Sequence, residues 1–146
     1  MAAKLKKQAM DRTEIVEDLN RLMAEEIEAG LRYFQIRYRL KGVDRLAAET
    51  FFDRALEETM DHAEQIAGKI RALGHIPKLN VNLTVGGGAI GLEEALAEIL
   101  EIEQQALDAY KDLLPNVAGD PMLEDFIRKQ IGVETEHVAE IATLLG

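Results

Sequence analysis

Four long stretches of the chain repeat apolar residues at steps of three and four, and the links between them differ sharply in length. No other feature constrains the fold as much. Steps of three and four place those residues on one face of an α-helix. The first stretch runs from about residue 11 to 41, with Asp11 or Thr13 placed to cap its start and Gly42 placed to stop it. The second covers about 44–73 and stops at Gly74. The third covers about 92–114, just before Pro115. The fourth covers about 121–145, with Asp120 as its N-cap and Pro121 as its first helical residue. No segment shows the alternation of a strand.

The links set the topology. Gly42-Val43 is tight, so the first two helices form an antiparallel hairpin. The 115–119 link is short, and the last two helices do the same. The segment 75–91, with Pro77 and the Gly86-Gly87-Gly88 run, is long for a link inside a compact domain. A helix of about 30 residues is roughly 45 Å long. About 17 extended residues reach roughly 55–60 Å. The long segment can therefore traverse the whole bundle and make the second and third helices parallel. Two separate hairpins would each leave a broad apolar stripe in water. The expectation is an all-α, single-domain four-helix bundle over residues 1–146, two antiparallel hairpins joined by a crossover at 75–91.

Each stripe is broken near its middle by a metal-binding type of side chain. In the first, Glu26 interrupts Ile15, Leu19, Leu22, Ala29, Tyr33, Ile36 and Leu40. In the second, Thr59 and His62 fall between Ala55 and Ile66. In the third, Glu103 stands between Ile99 and Ala106. In the fourth, Glu134 and His137 stand between Gln130 and Ile141. Counted from the helix ends, these positions face one another across the antiparallel hairpins. Three carboxylates and two imidazoles should meet at one level inside the bundle. Uncompensated, that burial costs many kcal/mol or forces the carboxyl pKa values up. One or two bound dications remove the problem, and mixed carboxylate and imidazole ligands suit iron, manganese or zinc. Glu134-x-x-His137 alone is weak evidence in so acidic a chain. The same interruption on four helices at matching heights is a joint event.

Composition agrees with this. Acidic residues outnumber basic ones 27 to 17, a formal net charge of −10, which attracts cations and disfavours nucleic acid and anionic membranes. There is no cysteine, which excludes disulfides, thiolate catalysis and Cys-based metal sites. No apolar run approaches the roughly 20 residues of a membrane span. The lysines of the first residues have no apolar stretch behind them, so no secretory signal is expected and a cytoplasmic location follows.

These residues resemble the ferritin-like superfamily, and bacterioferritins most, over about residues 12–145. The resemblance is strongest at Glu26-Ile-Glu-Ala-Gly-Leu-Arg-Tyr33-Phe34, Met60-Asp-His62-Ala63 and Gly74-His-Ile-Pro77. Glu103 within LEIEQQALDAY and Glu134-Thr-Glu-His137 complete it. It implies oxidation of Fe(II) by O2 or peroxide at an intrasubunit di-iron site, with storage of the ferric product. It makes Glu26 and Glu103 terminal carboxylates, His62 and His137 the histidine ligands, and Glu134 a bridging carboxylate. It also implies a homo-oligomer of at least two subunits.

The chain departs from that pattern at two places. Thr59 stands where a second bridging carboxylate belongs, three residues before His62. Glu58, about 40° around the helix from His62 at 100° per residue, either substitutes or is a cavity-facing or solvated acid. The centre is then asymmetric or single-metal. Bacterioferritins also carry a short fifth helix lining their shell channels. Here the chain ends nine residues after His137, which sets a dimer or smaller shell beside the 24-subunit assembly as open alternatives. At Met60 the resemblance implies a haem b ligand on a two-fold interface, with Leu56, Ala63 and Ala67 forming a second apolar line beside it. The alternative is a packing methionine. His75 reads as an ordinary loop residue. Lys4, Lys6 and Lys7 form a short basic tail, but the acidic remainder argues against DNA. Two other functional readings stay open: a non-catalytic haem-binding or structural subunit, and a di-metal oxidoreductase of another kind on the same fold.

Overall fold

The computed structural model describes the backbone of residues 2–146 and the side chains of residues 12–146; Lys4, Lys6, Lys7 and the Asp11 side chain lie outside the described residues. The described residues form four α-helices: α1 (Ala2–Arg39), α2 (Gly42–Ala72), α3 (Leu92–Leu113) and α4 (Pro121–Leu145). A short 3-10 turn, Leu114–Val117, follows α3. The described residues contain no strand, only an isolated bridge between Leu40 and Ile90.

The first helix starts about nine residues earlier than the expected caps at Asp11 and Thr13, which lie inside it. The preceding AAKLKKQAM segment contains neither glycine nor proline and is rich in good helix formers. Nothing there breaks the helix, so the polar residues downstream do not begin one. The α4 start follows its local chemistry. Asp120 Oδ1 accepts a hydrogen bond from the Leu123 amide at 3.3 Å, and Pro121 follows. At the far end of α2, Gly74 takes φ +86°, a left-handed conformation that favours glycine and lets His75 N reach back to Ile70 O at 3.2 Å.

The crossover follows α1 from one end of the bundle to the other. Lys78 N donates to Asn20 Oδ1 at 2.8 Å and Asn82 N to Glu28 Oε1 at 2.9 Å. Gln35 Nε2 donates to Gly86 O at 3.0 Å, and Arg39 Nε to Gly88 O at 2.8 Å. The contacts advance along α1 as the loop advances, so the segment spans the bundle and α2 and α3 run parallel. Arg39 also reaches Glu98 at 3.1 Å, which ties the end of the crossover to α3.

Two apolar clusters fill the interior. One holds Leu19, Leu22, Ile66, Ile70, Tyr110, Leu113, Leu123 and Ile127. The other holds Ala29, Tyr33, Ile36, Phe52, Ala95, Ile99 and Ile141. Between them the helices bury Glu26, Thr59, His62, Glu103 and Glu134. The packed layers above and below hold this polar level in place and keep bulk water from most of it. No described helix is long and apolar enough to cross a membrane.

Candidate metal centre

Each helix delivers its polar residue from the middle of its apolar stripe, so all of them project inward. The result is two overlapping sets of ligand atoms. Glu26, His62 and Glu134 offer atoms within 4.8 Å of one another, as do Glu103, Glu134 and His137. Glu134 belongs to both. Thus all five residues expected to ligate are brought together.

Both imidazoles turn Nδ1 toward the acids. His62 Nδ1 is 3.7 Å from Glu26 Oε2 and 3.7 Å from Glu134 Oε1. His137 Nδ1 is 3.5 Å from Glu103 Oε2 and 3.6 Å from Glu134 Oε2. These separations are too long for good hydrogen bonds. They are close to what two ligands about 2.0–2.2 Å from one shared dication require, roughly 3–3.4 Å apart. Glu134 Oε2 is buried and accepts no hydrogen bond. A buried carboxylate oxygen left in that state costs about 1–3 kcal/mol or more, and a cation satisfies it. The donor set therefore fits one or two first-row dications.

Two tyrosines complete the terminal acids. Tyr110 Oη donates to Glu26 Oε1 at 2.7 Å, and Tyr33 Oη donates to Glu103 Oε1. Each phenol reaches from one of α1 and α3 to the acid on the other. From sequence both tyrosines are simply members of the apolar stripes, and this role is not visible there. The available signal was a shared spacing: Tyr33 follows Glu26 by seven residues, and Tyr110 follows Glu103 by seven.

The charges settle unevenly without a metal. Burial drives the Glu134 carboxyl well above its ordinary range, and Glu103 reinforces this. Burial would raise Glu103 as well, but its polar contacts with His137, Glu134 and Tyr33, together with the charge on His137, hold it below that range. This close pair of acids thus keeps a proton on Glu134. His137, between Glu103 and Glu134, is pushed up to about 10. Burial works against the protonated form of His62, but Glu26 outweighs it and the net shift is upward. Both phenols are raised, first by burial and then by their carboxylate partners, so they stay protonated donors.

Thr59 supplies no bridge. It is buried, but its hydroxyl donates to Ala55 O at 2.6 Å, one turn back on its own helix. Glu58 faces the cavity, with Oε2 3.3 Å from His137 Nε2. It belongs to neither of the two ligand sets. The cavity around these groups is about 90 Å³, and the exposed Arg54 and Glu140 also line it. Met60 lies outside it, 41% exposed on α2. A Cβ at Gly30 of α1 would stand 3.5 Å from its sulfur.

Four helices that enclose a carboxylate–imidazole cluster, with one end-to-end crossover, define a class, and the sequence comparison agrees. Residues 16–146 match the Ferritin-like domain, and the chain belongs to that family. No curated protein sequence matches it significantly. Among solved structures, it is similar to a ferritin-like, diiron-carboxylate protein from Bacillus anthracis, with 28% identity, 93% of this chain and 98% of that one covered, and TM-score 0.82. The bacterioferritin of Desulfovibrio desulfuricans is 23% identical, with coverages of 92% and 80% and TM-score 0.80. A Dps protein from Bacillus brevis is 14% identical, with coverages of 94% and 98% and TM-score 0.84. The last two likenesses concern the fold.

Proposed function

We propose that this protein takes up Fe(II) at Glu26, His62, Glu103, Glu134 and His137 and oxidises it with O2 or peroxide, for iron storage or detoxification in the cytoplasm. The observation that carries this reading is the shared, buried Glu134, with one carboxylate oxygen toward each imidazole and Oε2 without a hydrogen bond. The diiron-carboxylate relative from Bacillus anthracis supports it. Iron is the substrate, and each Fe(II) gives up one electron to the oxidant.

The residues of the chain have separate tasks in this scheme. The net charge of −10 draws cations toward the protein. Glu26 and Glu103, held by Tyr110 and Tyr33, offer their other oxygens to the metal. Any proton that the upward shifts keep on His62, His137 or Glu134 is given up when a metal binds. Hard anionic oxygens stabilise Fe(III) over Fe(II) and so favour loss of the electron. Anaerobic Fe(II) titration followed by exposure to O2 tests the reading. Wild-type protein is expected to bind and oxidise Fe(II), and Glu134→Ala to do neither. Equal oxidation rates in the two would remove the proposal. Product assays on the same samples would separate iron storage from another di-metal oxidoreductase chemistry.

A haem-bearing role is a second reading, and it rests on a different surface. Met60 is exposed beside Gly30, and Leu31, Phe34 and Tyr38 are exposed on α1 at steps of three and four. We propose that a second copy of the chain covers this face, with or without haem b between two Met60 side chains. Haem addition to wild-type protein would then give a Soret band that is lost in Met60→Leu. Native mass shows whether a homo-oligomer forms. A spectrum of free haem in wild-type protein would leave Met60 as a packing residue.

A further inference from the structure

We propose that Glu58 is a positioning residue for His137, an inference that rests on the metal-binding reading above. His137 meets acids on both sides of its ring. Nδ1 is 3.5 Å from Glu103 Oε2 and 3.6 Å from Glu134 Oε2, inside one ligand set. Nε2 is 3.3 Å from Glu58 Oε2, outside it. A neutral imidazole carries one proton on one nitrogen. To ligate through Nδ1, His137 must keep its proton on Nε2, and Glu58 is the acceptor placed to receive that N–H. A carboxylate behind a ligating histidine fixes its tautomer and ring plane and raises its basicity.

His137 needs this support more than His62 does. Its side chain is 26% exposed against 10% for His62. Among the described residues, the acids within 4.0 Å of His62 all approach Nδ1. Both rings line the cavity, but His62 is the more enclosed and His137 the more open to solvent. The need is greater because Thr59 has no carboxylate to offer, and its hydroxyl donates to Ala55 O. The set around His137 then has only Glu103, the shared Glu134 and the imidazole. Glu58 thus serves the centre without replacing the absent bridge. Its contribution passes through the ring of His137.

Cobalt(II) titration followed by visible absorption tests this on the full chain. Wild-type protein is expected to bind in two steps. In Glu58→Ala the step that uses Glu103 and His137 is expected to lose about 10–100-fold in affinity, with the other step unchanged. Glu58→Gln keeps an amide oxygen that accepts from Nε2–H, and it is expected to stay within a few-fold of wild type. Nitrogen-15 NMR of the zinc-loaded protein gives a second readout. The Nε2–H tautomer of His137 should be locked in wild type and Glu58→Gln, and averaged in Glu58→Ala. Equal losses in Glu58→Gln and Glu58→Ala would make Glu58 a direct ligand and overturn the proposal. No loss in Glu58→Ala would overturn it as well. A wild-type protein that binds no metal would instead overturn the metal-binding reading and this proposal with it.

Discussion

The two halves of the centre are built to one plan and differ at one position. Glu26 and Tyr33 on α1, with Thr59 and His62 on α2, correspond to Glu103 and Tyr110 on α3, with Glu134 and His137 on α4. Within each hairpin the ligands face one another, and each tyrosine crosses to the acid of the opposite hairpin. The equivalence fails at Thr59, where the hydroxyl turns to its own helix, while Glu134 turns inward and serves both imidazoles. The lesson concerns electrostatics. A buried acid with an oxygen left unbonded is costly without metal, whether it ionises or keeps its proton, and this chain bears that cost once at the shared position instead of twice.

Glu134→Ala probes the shared position and has the largest expected effect. Both ligand sets lose a member, so both metals weaken by more than the 10–100-fold typical of a change one shell further out. Metal-free protein should behave in the opposite way. Removing the unsatisfied Glu134 oxygen relieves a penalty of about 1–3 kcal/mol, so thermal unfolding of the metal-free variant should come no earlier than wild type. Such a variant would be stable and inactive. A metal-free protein that unfolds well below wild type would show instead that Glu134 is structural.

Thr59→Glu restores the missing counterpart and comes next in size. Two dications carry four positive charges, and Glu26, Glu103 and Glu134 offer at most three negative ones. A carboxylate at position 59 adds the fourth. The second metal should bind at least about tenfold tighter, since 1.4 kcal/mol of added interaction suffices for that factor. The metal-free variant should melt earlier than wild type because it buries one more acid, and added Zn(II) should restore the loss. Unchanged affinity for the second metal would mean that side-chain geometry at α2, and not the missing charge, limits the centre.

Much of this arrangement could be read from sequence because it is local. The apolar steps give the helices, and the short 115–119 link and the long 75–91 segment give their directions. The five proposed ligands stand out as polar residues on apolar stripes at matching heights. What escaped was non-local or masked by a competing signal. Tyr33 and Tyr110 look like core residues from their own helices, and only the α1–α3 approach reveals their hydroxyl partners. Glu58 reads from sequence as a cavity-facing or solvated acid or a substitute bridge, but its contact with the His137 ring from α4 is not visible on α2 alone. The start of α1 was misplaced because Asp11 and Thr13 have capping chemistry, while the uninterrupted helix formers before them decide the outcome.

The crossed tyrosines give the smallest and most selective test of the two halves. Tyr110 holds Glu26, and Tyr33 holds Glu103. Replacing either with phenylalanine leaves the ring in place and removes a hydrogen bond to a charged acceptor, which is about 1.5–3 kcal/mol. The freed carboxylate oxygen then has water or metal as its only partners, and the acid is no longer held in one orientation. Tyr110→Phe should therefore weaken the step that uses Glu26 and His62, and Tyr33→Phe the step that uses Glu103 and His137. The swap across hairpins makes the outcome specific: a change on α3 acts on the α1 acid, and a change on α1 on the α3 acid. Cobalt(II) titration of the two variants distinguishes the steps. If both variants weakened the same step, the phenols would act through the packing they share and not through the separate carboxylates they bind.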